Sequence, residues 1–405
     1  MQAWQSVEVP GIATPSPVPR VFDSVSEGLT TLPTGREVTI YVCGITPYDA
    51  THIGHAATYV AFDTLIRTWR NSGATVRYAQ NVTDVDDPLI ERANATGRDW
   101  REIAVEQTEL FRGDMEALRV IPPDHYIGAV ESIPLVIKRI QEIKEAGASY
   151  QLGDDLYYDN SFSRTSGTIG HLTRHQMVEV FAQRGGDPNR SGKRNPLDAL
   201  LWRAEQPNDP SWFSDFGPGR PGWHIECAAI ALEYLGETID IQGGGSDLKF
   251  PHHEMSAAHA ETATGNYPFA STFVHTGMVA LDGQKMSKSL GNLVFVSKLI
   301  AQGTDPMAIR LAILAHHYRS DWEWFDNDLI AAQTRLKSWR EAFACGLAVA
   351  SVSDAVVAAL SNDLDTPVAL GLIDKWAEET VAGKGADARS SRYMSVLVDS
   401  LLGIV

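Results

Sequence analysis

The stretch that decides the fold is "CGITPYDATHIGHAATY", residues 43–59. It follows "EVTIYV" (37–42), a run of β-branched and aromatic residues typical of a strand. A helical pattern begins near Gly54. The stretch is therefore a strand-to-helix turn, with the thiol of Cys43 at the end of the strand and two imidazoles, His52 and His55, at the mouth of the helix.

Outward from this turn, strand and helix patterns alternate. The apolar periodicity predicts a helix over 54–73, a strand over 75–82 and a helix over 99–118. Short apolar strands separated by helices indicate an α/β fold with a parallel sheet.

The alternation divides the chain into five parts. It stops at "IPPDHY", 121–126, and resumes after about residue 205. Between these points we expect a helix near 128–147 and a hairpin around 149–159. The predicted parts are an extended leader (1–36), the first half of the catalytic domain (37–119), an inserted connective subdomain (120–205), the second half of the catalytic domain (206–295) and a helical C-terminal domain (296–405).

Composition argues against a protein that binds a long polyanion and against a secreted or membrane protein. The 405 residues carry 51 Asp and Glu against 34 Lys and Arg, a net charge of −17, whereas proteins that grip a long polyanion usually have a basic excess. Three cysteines form no disulfide framework and fit a reducing cytoplasm. No apolar run approaches the roughly 20 residues that span a bilayer, and the N-terminus has no features of a secretory signal.

The two histidines are candidates for binding a nucleotide triphosphate. His52 and His55 are three residues apart at the first turn of a helix, where the N-terminus attracts anions. Far downstream, Lys285 and Lys288 lie on a polar loop flanked by glycines, and could neutralise the charge of a departing diphosphate. Taken singly, the histidines could be helix caps and the lysines an exposed basic turn.

Together, "HIGH" (52–55) and "KMSKS" (285–289) resemble the paired signature of class I aminoacyl-tRNA synthetases. The surrounding residues are similar to those of cysteinyl-tRNA synthetases and of the related ATP-dependent cysteine:glucosaminyl-inositol ligases. The likeness runs from about Val38 to "NDLDTP" (362–367). It implies a Rossmann-like catalytic domain with a parallel sheet, an inserted subdomain and a C-terminal helical bundle.

The resemblance also accounts for the position of the Cys43 thiol at the end of the strand. Cys43, Cys227 in "GWHIEC" and His252 in "FPHHE" offer two thiolates and an imidazole, a set that suits Zn²⁺ and leaves a fourth position open. In the resembled family that position takes the thiolate of the substrate cysteine, so we expect one zinc per chain. His253 and His224 are alternative ligands. Either cysteine alone would more simply be a small core residue, as we expect for Cys345.

Other residues are implied to hold the amino acid or its adenylate. Asn81 and Thr83 resemble residues that hold the amino acid, and Gly245, Ser246 and Asp247 form a glycine-rich turn at which Asp247 could bind a ribose hydroxyl or the substrate ammonium. Trp223 could wall the cysteine pocket, although core packing explains it nearly as well. The complete predicted set is Cys43, Gly44, Ile45, Thr46, Thr58, Asn81, Val82, Thr83, Trp223, Gly245, Ser246, Asp247 and Val279.

Three departures favour the ligase over the synthetase. Synthetases usually have proline at the position of Ile45, arginine at that of Ala57 and a carboxylate at that of Ser256. Gln183 departs from the ligase pattern, and "SFSRTSGTIGHLTRHQ" (161–176) matches neither group. We expect a monomer that uses L-cysteine, ATP with Mg²⁺ and glucosaminyl-inositol, without tRNA or membrane. The alternatives are a cysteinyl-tRNA synthetase and an inactive paralogue that serves as a binding module.

Overall fold

From residue 37 to 145, and again from 219 to 276, one or two helices follow each strand before the next strand begins. The computed structural model describes residues 1–48, 50–207, 209–281, 283–285 and 293–405, with the backbone alone at 284 and 285. Its strands are β1 Arg20–Asp23, β2 Gly28–Thr31, β3 Glu37–Val42, β4 Thr75–Val82, β5 His125–Gly128, β6 Ser149–Leu152, β7 Asp155–Tyr158, β8 Leu200–Ala204, β9 Gly219–Pro221, β10 Ile239–Gly245, β11 Ala270–Thr276, β12 Val279–Leu281, β13 Gln284–Lys285 and β14 Trp322–Glu323.

The helices confirm the pattern read from the sequence. They are α1 Ile53–Asn71, α2 Asp87–Thr96, α3 Trp100–Ala117, α4 Ala129–Glu145, α5 Arg174–Gln183, α6 Trp223–Tyr234, α7 Glu254–Thr264, α8 Val296–Ala301, α9 Pro306–Leu314, α10 Asp326–Phe343, α11 Ser353–Ser361, α12 Thr366–Val381 and α13 Ser390–Leu402. None of the described helices is long and apolar enough to cross a membrane.

Five of the described strands form the predicted parallel sheet, in the order β11-β10-β3-β4-β5. After its first residue, β3 is buried throughout, as expected for a strand covered on both faces. The chain runs from β3 outward to β4 and β5, and later from β10 outward to β11. The strand order therefore reverses between β3 and β10, and open α/β sheets bind ligands at such a point.

Helices cover both faces of this sheet. On one face, α1 packs with helices of the C-terminal half in a core that includes Ile40, Leu65 and Ile309. On the other, α4, α6 and α7 form a second core. Cys43 and Cys227 belong to this second core, because α6 carries Cys227 against the sheet beside the end of β3.

A buried ion cluster joins α1 to the C-terminal helices. The carboxylate of Asp63 pairs with Arg67, at 2.7 Å, and with Arg310, and all three side chains are fully buried. The guanidinium of Arg310 also donates to the carbonyl oxygens of Leu118, at 2.7 Å, and Leu402, at 2.5 Å. The end of α13 is thereby tied to α1, the helix that follows β3.

The predicted hairpin is present within a four-stranded antiparallel sheet, β6-β7-β8-β9. Three strands lie in unexpected places. β5 falls inside the range predicted for the insertion, yet it pairs with β4 in the central sheet. Residues 20–31, in the range predicted as an extended leader, form the antiparallel pair of β1 and β2. The division into five parts stays a prediction.

Candidate active site

A cavity of about 350 Å³ opens where the carboxyl ends of β3 and β10 meet. It lies at the reversal of strand order, which is where the fold favours ligand binding. Most of the residues predicted to bind substrate or nucleotide line it. They are Cys43, Gly44, Ile45, Thr46, His52, His55, Thr58, Trp223, Gly245, Asp247 and Val279.

The turn after β3 is held from behind by the end of β4. Oδ1 of Asn81 accepts hydrogen bonds from the Gly44 amide, at 2.8 Å, and from the Tyr41 hydroxyl, at 3.1 Å. Its amide nitrogen donates to the Thr83 hydroxyl at 3.1 Å. Asn81, Val82 and Thr83 are buried and lie behind the lining of the cavity. Ser246 continues the chain between the two lining residues Gly245 and Asp247.

The two histidines of "HIGH" stack on each other at the mouth of α1. Their ring centroids are 3.8 Å apart, with an angle of 26° between the planes. A Cβ at Gly54 would lie 2.9 Å from the His52 ring, so glycine is required for this arrangement. Both rings line the cavity beside the N-terminus of the helix, where an anion is stabilised.

The predicted metal ligands come together around Cys43, which lines the cavity, whereas Cys227 and His252 are buried behind the lining. Sγ of Cys43 and Sγ of Cys227 are 4.0 Å apart, and Nε2 of His252 is 3.2 Å from Sγ of Cys227. All three ligand atoms lie within 4.8 Å of one another. Tetrahedral zinc, with bonds of about 2.3 Å to sulfur and about 2.0 Å to nitrogen, has edges of about 3.8 and about 3.5 Å. The donor set therefore fits a zinc ion in chemistry and in spacing.

The electrostatics of the two thiols differ. A hydrogen bond from the Cys43 thiol, helped by the nearby His252, lowers the pKa of Cys227 well below its usual range. Burial raises the pKa of Cys43 well above its usual range. One member of the pair is therefore ready to act as a thiolate, the form that binds metals.

The two alternative histidines support the cluster from outside. Nε2 of His253 lies 3.2 Å from Sγ of Cys43, and its Nδ1 contacts Nε2 of His275 at 2.8 Å. Nδ1 of His224 contacts Nδ1 of His252 at 3.0 Å. Among the described residues, the group whose ligand atoms all lie within 4.8 Å of one another contains His252. It contains neither His253 nor His224.

Trp223 is half-buried at the cavity, and neither of the two cores that flank the sheet includes it. Its indole lines the cavity and stacks on the His252 ring, with centroids 4.1 Å apart and planes at 20°. This flat wall next to His252, a candidate metal ligand, orients the imidazole and narrows the space in front of the thiols.

The structure describes the two lysines of "KMSKS" only in part. The backbone of Lys285 pairs with Ala280 in the β12–β13 ladder, and Lys288 lies outside the described residues. The cavity also has lining residues that the sequence reasoning missed, namely Tyr48, Tyr59, Leu248, Gly277 and Met278. Gly277 and Met278 follow β11, so their place at the end of a parallel strand was the available signal.

The three departures from the synthetase pattern lie in or near this region. Ile45 lines the cavity, and Ala57 is buried one turn into α1. Ser256 is buried, and its hydroxyl donates to the carbonyl oxygen of His224 at 3.0 Å. The position where synthetases have a carboxylate thus holds a side chain that binds the backbone instead.

Comparison with known proteins agrees with this geometry. The family model for the class I (C) tRNA synthetase catalytic domain matches residues 30–334. The solved structure of a methionyl-tRNA synthetase from Mycobacterium tuberculosis, in complex with methionyl-adenylate, superposes with a TM-score of 0.64 over 91% of this chain and 92% of the other, at 16% identity. That likeness shows the class I fold.

Two relatives match over their whole length. L-cysteine:1D-myo-inositol 2-amino-2-deoxy-alpha-D-glucopyranoside ligase of Thermomonospora curvata is 55% identical, and the ligase of the same name from Kribbella flavida is 56% identical, with 100% of both chains covered in each case. The chain therefore belongs to the class I (C) tRNA synthetase family and, within it, to the family of these ligases.

Proposed function

We propose that this protein is an ATP-dependent ligase that joins L-cysteine to the amine of glucosaminyl-inositol in mycothiol biosynthesis. The reaction would pass through cysteinyl adenylate and yield Cys-GlcN-Ins, AMP and diphosphate. The observation that carries the proposal is the thiol–imidazole cluster of Cys43, Cys227 and His252, in which Cys43 lines the same cavity as the stacked histidines. The acceptor follows from the two full-length relatives, which are named as ligases of L-cysteine and an amino-glucosyl inositol.

Cys43, Cys227 and His252 would hold zinc with a fourth position open toward the cavity. Zinc bound there would supply a soft Lewis acid for the thiolate of the substrate, which the hydroxyl of serine matches poorly. Cysteine and serine differ little in size, so shape alone could not separate them. The indole of Trp223, stacked on His252, would limit the space beside the bound thiolate.

In the first step, a carboxylate oxygen of cysteine attacks the α-phosphorus of ATP. The bond from that phosphorus to the bridging oxygen breaks, and diphosphate leaves. His52 and His55, beside the N-terminus of α1, would face the phosphates, whereas Lys285 and Lys288 would neutralise the charge that develops on the leaving group. Mg²⁺ would accompany the nucleotide. Thr58 and Asp247, which line the same cavity, would orient the nucleotide or the substrate ammonium.

In the second step, the neutral amine of the sugar attacks the activated carbonyl. The bond from the carbonyl carbon to the phosphate oxygen breaks, AMP leaves, and the amine loses a proton to solvent as the amide forms. A net charge of −17 favours a small acceptor over a polyanion of many phosphates.

One pair of assays tests the proposal. Cysteine-dependent exchange between ATP and labelled diphosphate reports the first step, and product formation with glucosaminyl-inositol or with tRNA as acceptor reports the second. We expect exchange with cysteine and not with serine, an amide product with the amino sugar, and weak dependence on salt. Cysteinyl-tRNA formation with the amino sugar left unmodified would overturn the assignment.

A further inference from the structure

The segment 165–171, which matches neither related group in sequence, contacts the chain next to the metal cluster. Glu254 follows His252 by two residues, begins α7 and is 2% exposed. Its carboxylate accepts backbone hydrogen bonds from Gly167, at 2.6 Å, from Gly170, at 2.9 Å, and from Ile169, at 3.2 Å. Three amides of one short segment therefore converge on one buried carboxylate.

The same segment contacts the chain on the other side of the ligand histidine. A Cβ at Gly170 would lie 3.1 Å from Cβ of Phe250 and 3.4 Å from Oε1 of Glu254. The Thr165 hydroxyl donates to the carbonyl oxygen of Glu254 at 3.2 Å. Phe250 and Glu254 flank His252 at two residues on either side, so the segment fixes the backbone on both sides of the predicted ligand.

Beyond Gly170, the segment is anchored a second time. Nε2 of His171 donates to the carbonyl oxygen of Ser24 at 2.6 Å. The Ser24 hydroxyl contacts Nδ1 of His275 at 2.8 Å, and the His275 ring contacts His253 behind Cys43. The segment is thus fixed to two separate parts of the chain that surround the cluster.

We propose that segment 165–171 positions the metal centre and that Glu254 is its positioning residue. By holding the first turn of α7 through three backbone amides, Glu254 keeps Nε2 of His252 near Sγ of Cys227. This inference rests on the proposed function, since it assigns a role toward the zinc that would select the thiol. Residues that orient metal ligands typically affect metal affinity by about 10- to 100-fold when changed.

The test is the variant Glu254→Gln in the full-length, zinc-loaded protein. The amide keeps one oxygen acceptor, but its NH2 group would face either the N–H of Gly167 or those of Ile169 and Gly170, so at least one of the three hydrogen bonds is lost. We expect a chelator to remove zinc about 10- to 100-fold more readily than from the wild type. The thiolate absorption of the cobalt-substituted protein should shift, and KM for cysteine should rise while KM for ATP is unchanged.

Glu261→Gln is the matched control. Glu261 is a second buried carboxylate on α7, and it accepts a backbone hydrogen bond from Phe269 at 3.1 Å instead of from the segment. We expect this variant to bind zinc as the wild type does, even where its melting temperature falls. Equal zinc affinity in Glu254→Gln and wild type, or an equal loss in both variants, would overturn the positioning role.

A second variant tests the same inference if Glu254→Gln folds poorly. Gly170→Ala leaves the carboxylate intact and presses a methyl group against Phe250, so it should weaken zinc binding in the same direction. Wild-type affinity in Gly170→Ala would contradict the inference. Wild-type protein that holds no zinc would overturn the proposed function and this inference together, whereas zinc-loaded wild type with unaffected variants overturns the positioning role alone.

Discussion

The backbone of Gly44 lies so close to Asn81 that a Cβ on Gly44 would be 1.6 Å from the carbonyl oxygen of Asn81. The Gly44 amide also donates to Oδ1 of Asn81 at 2.8 Å. The end of β4 therefore sets the path of the chain directly after Cys43. The position of a candidate metal ligand depends on a contact between neighbouring parallel strands.

Gly44→Ala should lower both stability and activity. The added methyl group meets backbone rather than a flexible side chain, so the turn must move, at a cost of about 1–3 kcal/mol or more. We expect a lower melting temperature and a higher KM for cysteine in the exchange assay. Gly113→Ala is the control, because nothing lies within 4 Å of its Cβ in α3 and alanine favours a helix. Unchanged cysteine KM in Gly44→Ala would show that the turn can shift without effect on the site.

Cys227→Ala should remove the metal. The variant leaves one thiol and one imidazole, too few donors for a closed set of three, so the zinc content should fall from about one per chain to near zero. KM for cysteine should rise steeply. Cys345→Ala is the matched control, because the Cys345 thiol bonds to the carbonyl oxygen of Glu341 and lies outside the cluster. Full zinc retention in Cys227→Ala, measured by elemental analysis, would remove the metal hypothesis.

The sequence predicted the sheet because its pattern is local. β3 was predicted from a nearly continuous β-branched and aromatic run, β4 from a short segment with strand character after a glycine, and the helix that begins near Gly54 from its apolar period. β5 was missed because two prolines precede its four residues, so the segment has the composition of a break. Its pairing with β4 is a long-range contact that no local pattern reports.

The sequence predicted which residues belong to the candidate site but not how their side chains are oriented. Motif resemblance brought Cys43, Cys227 and His252 together, and the structure places them within ligand spacing. The motif could not show that the Asn81 side chain points toward the backbone of Gly44. The direction of a side chain at a strand end depends on the neighbouring strand. The backbone hydrogen bonds from Gly167, Ile169 and Gly170 to Glu254 could not be predicted either, because they join residues 84 to 87 positions apart in the sequence.

Lys288→Ala should slow adenylate formation by roughly 100-fold, if the ammonium acts only as charge develops on diphosphate. Lys288 lies outside the described residues, so this prediction rests on the motif. Binding of cysteine, measured as its Kd, should change little. Lys337→Ala, at an exposed position on α10, is the control and should leave the rate unchanged. An unaltered exchange rate in Lys288→Ala would show that the motif has no role in this step.

The stability of the protein should depend on pH because the Asp114 carboxyl group is buried. The side chain is 3% exposed on α3, and its Oδ2 has no hydrogen-bond partner among the described residues. Burial raises the pKa of Asp114 from an ordinary value of 3.8 to about 7. The folded protein therefore holds this proton up to about pH 7, whereas the unfolded chain releases it near pH 4. Stability from this group is fully present below about pH 4 and is lost as the pH rises toward 7.

Asp114→Asn removes this titration. At low pH the protonated acid and the amide are both neutral, so the variant and the wild type should have similar melting temperatures near pH 3.5. At pH 8 the wild type carries a buried charge, and the variant should be more stable by up to about 4 kcal/mol. Thermal unfolding between these pH values measures the difference, with Glu116→Gln, at an exposed position on the same helix, as the control. A stability difference that stays constant with pH would show that Asp114 is ionised in the folded protein at neutral pH.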